Sequence, residues 1–188
     1  MADRADRVPV GNVTGVWRGK LERVLAADYL DEVESRPVEE LRALRDECRA
    51  VGDDLSFLRR QVHGRLDIVR WELDRRAAGA GPSTPAELVE KLNDILADNI
   101  HAPGHSQMVD NVEPPDLDEL TEELDSLLPP TWALLELDEE GLRGWAAKLE
   151  ELEEGYSRPR REVFEREDAV KDLLAERLGD PPPAVPAE

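Results

Sequence analysis

Aromatic side chains are scarce in this sequence, and this scarcity disfavours a thick hydrophobic core. Aromatics make up only 4% of the 188 residues, whereas charged residues make up 36%. Long helices that bury a narrow apolar stripe against each other need fewer core residues than a globular domain does. The composition therefore favours an assembly of helices.

Cysteine is nearly absent as well. Cys48 is the only one, so an internal disulfide is excluded and a reducing cytoplasm is the expected location. It lies on an apolar stripe, which favours a buried small side chain over a nucleophile. Cys48 and three scattered histidines offer no nucleophile–base pair, and there is no phosphate-binding loop of the Walker type. An enzyme is therefore the least favoured function class.

A metal site is not expected either. His101 and His105 are four residues apart, but Pro103 and Gly104 lie between them. No helix would then place both imidazoles on one face, and no third ligand accompanies them.

Long hydrophobic runs are missing. No segment approaches the ~20 apolar residues that span a membrane. The first residues contain no apolar core of signal-peptide length. We therefore expect a cytoplasmic protein that makes no membrane contact and carries no recognisable export signal.

Positive charge is scarce and unevenly placed. The formal net charge is −20, and no Lys or Arg occurs between Lys91 and Arg143. Such a chain opposes direct DNA binding, because phosphates require basic side chains, and it favours a basic protein partner. Two basic clusters are either local anion sites or the Arg- and Glu-rich flanks usual in coiled coils. They are Arg59, Arg60, Arg65, Arg70, Arg75 and Arg76, and Arg158, Arg160, Arg161, Arg166 and Lys171.

The strongest periodic pattern predicts a long helix over about residues 37–78. Pro37 suits a first helical turn, and the sequence GAGPSTP ends the helix after Ala78. Its apolar residues alternate steps of four and three with one exception, as in a coiled-coil seam. They are Leu44, Cys48, Val51, Leu55, Leu58, Val62, Leu66, Val69 and Leu73.

A second long helix is predicted over about residues 138–178. Asp138 suits its N-cap, and Gly179 with the prolines beyond it ends the helix. Gly155 and Pro159 lie inside the pattern, so we expect a kink or a break there. The seam residues are Leu142, Trp145, Leu149, Leu152, Tyr156, Val163, Val170 and Leu173, with Leu174 beside them.

The predicted fold class is all-α: an antiparallel coiled-coil hairpin of the two long helices, with additional short helices. It occupies residues 15–179, between a disordered N-terminus (1–14) and a disordered tail (180–188). A further amphipathic helix is predicted from about Val16 to Val33.

The connector between the long helices, residues 79–137, is predicted to be acidic and irregular. Within it, Thr84 to Glu87 form a capping box that opens a short helix to about Ala97. Residues 98–116 have the composition of a loop, and residues 117–128 suit a short acidic helix.

Two stretches of the sequence repeat a polar pattern. SFLRRQVHGRLDIV (56–69) and SRPRREVFEREDAV (157–170) agree at half of their fourteen positions, and the shared residues are mostly polar. At about 100° per residue, Ser56, Arg59, His63 and Asp67 form one narrow stripe beside the apolar seam. In the second copy Ser157 and Phe164 likewise follow seam residues by one position, and Glu153 extends that stripe by one turn.

The chemistry of these two polar ladders suits a guanine nucleotide. Arg can lie against a purine face, donate to guanine O6 and N7, or pair with phosphate. A carboxylate accepts from guanine N1–H and N2–H₂, which adenine cannot imitate. A polar set used twice also matches a ligand that is itself two-fold symmetric. The alternative is a ligand-independent coiled-coil adaptor whose ladders are surface salt bridges.

The segment LSFLRRQVHGRLDIVRWEL, with its lead-in VEELRALRDECRA and the following ELVEKLNDILAD, resembles the RsiG family of actinobacterial anti-sigma factors. The resemblance implies Glu-x3-Ser-x2-Arg-x3-Gln-x3-Asp ladders that bind cyclic di-GMP, here as a self-stacked nucleotide dimer between the long helices. It implies a WhiG-type sigma factor of sporulation genes as the partner, kept from promoters and core polymerase. The implied ligand residues are Ser56, Arg59, His63, Asp67, Glu153, Ser157, Arg160 and Asp168, with Arg60, Arg161 and Phe164 as further contacts.

This sequence departs from that ladder pattern at several positions. Gly52 stands where the first ladder has Glu, and His63 stands where it has Gln. In the second ladder Phe164 replaces Gln, and Pro159 falls in the middle. The two ladders should therefore contribute unequally to ligand binding.

Overall fold

The computed structural model describes residues 16–96 and 117–179, and these residues form helices joined by turns and loops, without a strand. The all-α prediction is thereby confirmed. The segments predicted as disordered (1–14 and 180–188) and as loop (98–116), with the two histidines, lie outside the described residues. The helices are α1 (Val16–Leu25), α2 (Val38–Ala77), α3 (Pro85–Leu96), α4 (Leu117–Leu127), α5 (Thr131–Leu135) and α6 (Glu139–Leu178).

The described residues divide into two compact units, and the boundary falls inside both long helices. Unit 1 contains residues 57–96 and 117–157, and unit 2 contains residues 16–56 and 158–179. In each unit a segment of α2 packs against a segment of α6. The order of the contacts shows that these segments are antiparallel. In unit 1 Arg59 contacts Ser157, and Arg70, further along α2, contacts Glu150, earlier on α6. In unit 2 Ser56 contacts Arg160, and Gly52, earlier on α2, lies beside Phe164, further along α6.

The apolar seams of α2 and α6 lie where the sequence places them. Most of the seam residues are buried, whereas Leu44, Leu73, Trp145 and Leu173 are half-buried at its edges. The bounds of both long helices agree with the prediction to within one residue, because the period of the seam and the end signals point to the same limits. The predicted hairpin of long helices is confirmed.

The break expected near Pro159 is wrong, because α6 is helical from Glu139 to Leu178 with the proline inside it. Pro159 cannot donate a backbone hydrogen bond, and its ring crowds the carbonyl of Gly155 one turn earlier. However, Pro159 is buried and lies four residues before the seam residue Val163. Its ring therefore contributes to the apolar packing that holds this part of the helix.

Helix α1 is shorter than predicted, since it ends at Leu25 and a 3-10 turn follows at Val33–Ser35. Its last carbonyls accept hydrogen bonds from the Arg166 guanidinium, at 3.1 Å for Leu25 and 3.0 Å for Ala26, with a further contact to Val24. A basic side chain thus satisfies the carbonyl groups that a helix C-terminus leaves without partners.

The connector contains more helix than predicted. The capping box forms, because the backbone nitrogen of Thr84 donates to Glu87 at 2.7 Å and that of Glu87 donates back to the Thr84 hydroxyl at 3.3 Å. Helix α4 matches the segment predicted as a short acidic helix. Helix α5 was not predicted, because five residues are too few to show a period.

Glu72 is a fully buried carboxylate near the end of α2 in unit 1. It accepts hydrogen bonds from Arg76 at 2.6 Å, the backbone of Ser83 at 3.0 Å and Arg75 at 3.3 Å. Arg76 also donates to the carbonyl oxygens of Leu135 and Leu137, so this cluster ties α2 to the segment before α6. Burial alone would raise the pKa of Glu72, but the hydrogen bonds outweigh it, and the pKa lies below its ordinary value.

We expect Glu72→Gln to lower the free energy of unfolding by about 2–4 kcal/mol at neutral pH, because two partly buried guanidinium groups lose their counter-charge. The folded-state pKa is depressed, so this stabilisation is present above the unfolded-state pKa and is lost as pH falls through the folded-state pKa. Urea unfolding at neutral and at acidic pH measures both effects. Glu90→Gln, at an exposed position of α3, is the matched control, and a Glu72→Gln effect independent of pH would contradict the assignment.

Candidate functional site

The polar ladders lie on α2 and α6, and each unit contains residues from both. In unit 1 they are Arg59, His63, Asp67, Glu153 and Ser157, which we call the unit 1 set. In unit 2 they are Gly52, Ser56, Arg160, Phe164 and Asp168, which we call the unit 2 set. The side chains long enough to reach across the helix pair are Arg59, His63, Glu153, Arg160 and Phe164.

The seam explains why these residues lie at the edge of the helix contact. Ser56, Arg59, His63 and Asp67 each follow a buried seam residue by one position, which places them at the margin of the apolar stripe. Their exposure is intermediate: the side chains of Arg59 and His63 are 35% and 27% exposed, and that of Asp67 is 19% exposed. Side chains in this position can contact both the opposite helix and solvent.

The unit 1 set is a connected network of charges. Arg59 Nε donates to the Ser157 hydroxyl at 3.2 Å, and its guanidinium lies 3.5 Å from a Glu153 oxygen. The same oxygen lies 2.9 Å from His63 Nδ1, and His63 Nε2 lies 3.8 Å from an Asp67 oxygen. The contact of His63 Nδ1 with Glu153 does not have the geometry of a hydrogen bond. Two carboxylates therefore flank one imidazole.

The unit 2 set is built around Arg160. Its Nε donates to the Ser56 hydroxyl at 2.7 Å, and Ser56 donates in turn to the Gly52 carbonyl oxygen at 2.7 Å. The guanidinium lies over the Phe164 ring, 4.6 Å from the centroid, as in a cation–π contact. The guanidinium is thus held on one face by an aromatic ring and at one edge by a hydroxyl.

Asp168 differs from its counterpart Asp67. Its side chain is 70% exposed, and Lys171 Nζ donates to it at 3.4 Å. The two further predicted contacts, Arg60 and Arg161, are also exposed. These three residues contribute less to the helix contact than the rest of the predicted site does.

The two units use the same pairing of ladder positions. In each, the Arg of one ladder donates to the Ser of the other, as Arg59 does to Ser157 and Arg160 to Ser56. In each, the ladder's Glu position faces the other ladder's Gln position. That pair is Glu153 with His63 in unit 1, and Gly52 with Phe164 in unit 2. Two of the departures from the family pattern are therefore in contact with each other.

Sequence reasoning missed the role of Arg65 and Arg166, although both are shared by the two repeated stretches. Arg166 caps α1, as described above. Arg65 is half-buried in unit 1; burial lowers the pKa of its guanidinium, and the charge of Asp125 on α4 acts against this. Each of these arginines faces a short helix. The two repeated stretches therefore share packing positions as well as candidate ligand residues.

The described residues were expected to contain no reactive cysteine, metal site or membrane-spanning helix. The Cys48 side chain is buried, and burial raises the pKa of its thiol, in agreement with a structural role. Residues 16–96 and 117–179 contain no group of three side chains that could hold a metal ion. No helix in this part of the chain is long and apolar enough to cross a membrane.

Fold and site together define a class of protein, an all-α hairpin whose long helices carry paired polar ladders. A family model described as RsiG-like matches residues 27–96, which include α2, α3 and the first ladder. Over these residues the chain is similar to the RsiG-like family, and this similarity supports an anti-sigma factor as its class. Neither the curated proteins nor the solved structures gave a match.

The contact of Gly52 with Phe164 can be measured as a coupling energy. A Cβ at Gly52 would lie 3.2 and 3.3 Å from two Phe164 ring carbons, so the ring must shift to admit it. Replacing a helical Gly by Ala otherwise stabilises by about 0.5–1 kcal/mol. We expect Gly52→Ala to raise the free energy of unfolding by this full amount only in a Phe164→Ala background. In the native chain the increase should be less than half as large.

The measurement is a double-mutant cycle by urea unfolding. Gly144→Ala on α6 is the matched control, because no atom lies within 4 Å of the added Cβ. It should give the same gain in both backgrounds. If Gly52→Ala stabilises the chain equally in both backgrounds, the Phe164 ring does not oppose a side chain at position 52.

Proposed function

We propose that this protein is a cytoplasmic anti-sigma factor that binds cyclic di-GMP on the ladders of α2 and α6 and sequesters a WhiG-type sigma factor, inhibiting transcription initiation. The observation that carries the proposal is the reciprocal Arg–Ser contact, present once in each unit. The polar ladder that the sequence repeats suits a ligand with two equivalent halves. The family match supports the anti-sigma role.

The side chains in the unit 1 set have the groups that guanine requires. Arg59, held by Ser157, can donate to guanine O6 and N7 or to phosphate. Asp67 and Glu153 are carboxylates at the edge of the helix contact, and they can accept from N1–H and N2–H₂. His63 can hydrogen-bond from the position where the family pattern has Gln.

The charge of the chain supports a protein partner of opposite sign. The net charge of −20 opposes direct DNA binding, and it complements the basic surfaces with which sigma factors contact DNA and polymerase. The chain therefore inhibits transcription by covering the sigma factor, and it makes no contact with the promoter.

A ligand-independent adaptor is the second candidate, favoured by the contacts within the unit 1 set. Arg59 and His63 both have Glu153 as a partner on the opposite helix. In an adaptor these contacts would be structural, and replacing Arg59 and Arg160 would change stability by only about 0–1 kcal/mol and leave partner binding intact.

We expect cyclic di-GMP to bind saturably in isothermal titration, either to the protein alone or in the presence of the sigma factor. Asp67→Ala with Asp168→Ala should weaken binding by about tenfold or more, because the acceptors for guanine N1–H and N2–H₂ are lost. The matched control is Asp74→Ala with Asp172→Ala, which removes two exposed carboxylates from the same helices. It should leave the affinity within about twofold.

Two outcomes would count against the ligand. One is the absence of saturable binding with and without the sigma factor. The other is equal affinity for the Asp67→Ala/Asp168→Ala variant and its control. A sigma factor that is captured equally well with and without nucleotide would favour the adaptor.

A further inference from the structure

A cleft of about 660 Å³ lies in unit 2, between α1 with the turn that follows it and the first part of α2. Its volume falls within the roughly 300–1,000 Å³ of pockets that hold small molecules. Helix α2 contributes Ala43, Leu44, Glu47 and Ala50 to the lining. Positions 43, 47 and 50 share one face of the helix, and the two alanines are too short to fill the space beside it. The cleft is therefore left open by short side chains.

The basic side chains of the cleft come from the segment before α2. Lys20 and Arg23 lie on α1, and Arg36 lies just before α2 begins. Two carboxylates, those of Asp28 and Glu47, accompany them. The cations outnumber the carboxylates, so the cleft has an excess of positive charge in a chain whose net charge is −20.

One of the two carboxylates is already engaged. Glu47 forms an ion pair with Arg23 through Oε1, and the Tyr29 hydroxyl donates to Oε2 at 3.0 Å. Burial raises the pKa of Tyr29, and its contact with Cys48 adds to this, so the phenol remains a protonated donor. The charges of Arg23 and Arg36 act on that pKa in the opposite direction, because both guanidinium groups lie near the hydroxyl.

Lys20 and Arg36 can both interact with a ligand. Lys20 is exposed, and in the described part of the chain its ammonium group has no ion-pair partner. Arg36 Nη2 donates to the Asp31 carbonyl oxygen at 2.9 Å, which orients the guanidinium and engages one of its N–H groups. The carbonyl groups at the end of α1 would repel an anion, but Arg166 donates to that of Ala26, which lines the cleft, at 3.0 Å.

We propose that this cleft binds a small anionic molecule that carries phosphate. Arg can donate two parallel hydrogen bonds to phosphate oxygens, and Lys supplies a point charge to the same group. Asp28 is exposed, so solvent weakens its repulsion of the anion. The alanines and Leu44 leave room and apolar surface for the rest of the molecule. The site is additional to the proposed function, since none of the ladder residues lines the cleft.

Isothermal titration of the full chain with pyrophosphate tests the proposal, and we expect saturable binding to the native chain. Lys20→Gln with Arg36→Gln should weaken this binding at least about tenfold, because two charge-assisted contacts are lost. The matched control is Arg49→Gln with Lys91→Gln, which removes the same charge from exposed positions outside the cleft. It should change the affinity by less than about threefold.

A second variant blocks the cleft without changing its charge. Ala50→Phe places a ring at an exposed position of α2 that lines the cleft. It should weaken pyrophosphate binding at least about tenfold, because the ligand would have to displace the ring. Ala147→Phe, at an exposed position of α6 in unit 1, is its control and should leave the affinity unchanged. Urea unfolding of each variant verifies that it folds.

The absence of saturable pyrophosphate binding to the native chain would overturn the proposal. Equal weakening by the Lys20/Arg36 variant and its control would do so too, since the anion would then respond to overall charge alone. Unchanged binding to Ala50→Phe would exclude the cleft as the place of binding. The Asp67→Ala/Asp168→Ala variant should bind pyrophosphate as the native chain does, so a failure of this proposal is distinguishable from a failure of cyclic di-GMP binding.

Discussion

Apolar side chains at steps of three and four hold α2 against α6, and the positions of the polar ladders depend on that packing. A residue that follows a buried seam position by one lies at the margin of the contact, where it can reach the opposite helix. The antiparallel register then decides which ladder positions meet. Shifting either helix by one turn would bring Ser56 away from Arg160 and Ser157 away from Arg59, so the pairing is a property of the seam.

The same register has produced different chemistry in the two units. A carboxylate faces an imidazole where Glu153 meets His63, whereas an aromatic ring fills the space above a glycine where Phe164 meets Gly52. In the second contact the same ring also lies against the guanidinium of Arg160. Equivalent ladder positions therefore carry a polar contact in one unit and an aromatic contact in the other.

The long helices could be predicted from the sequence, because the seam period and the end signals depend on residues that are close together in the chain. The prediction failed where contacts between distant residues determine the structure. Pro159 would end an isolated helix, but its burial in the seam outweighs the lost hydrogen bond. Helix α1 ends where Arg166, far along the chain, satisfies its carbonyls. The contact of Gly52 with Phe164 was beyond prediction for the same reason, since the register of two helices separated by a long connector is not encoded in either.

The contacts within the unit 1 set determine what a ligand at this position would have to supply. Arg59 and His63 both lie beside Glu153, so a ligand that contacts Arg59 or His63 has to replace these contacts. Each half-buried charge that loses a partner must find another in the ligand, or its desolvation is uncompensated. A ligand whose polar groups match these side chains therefore binds at a lower cost in free energy than one that leaves a carboxylate or a guanidinium without a partner.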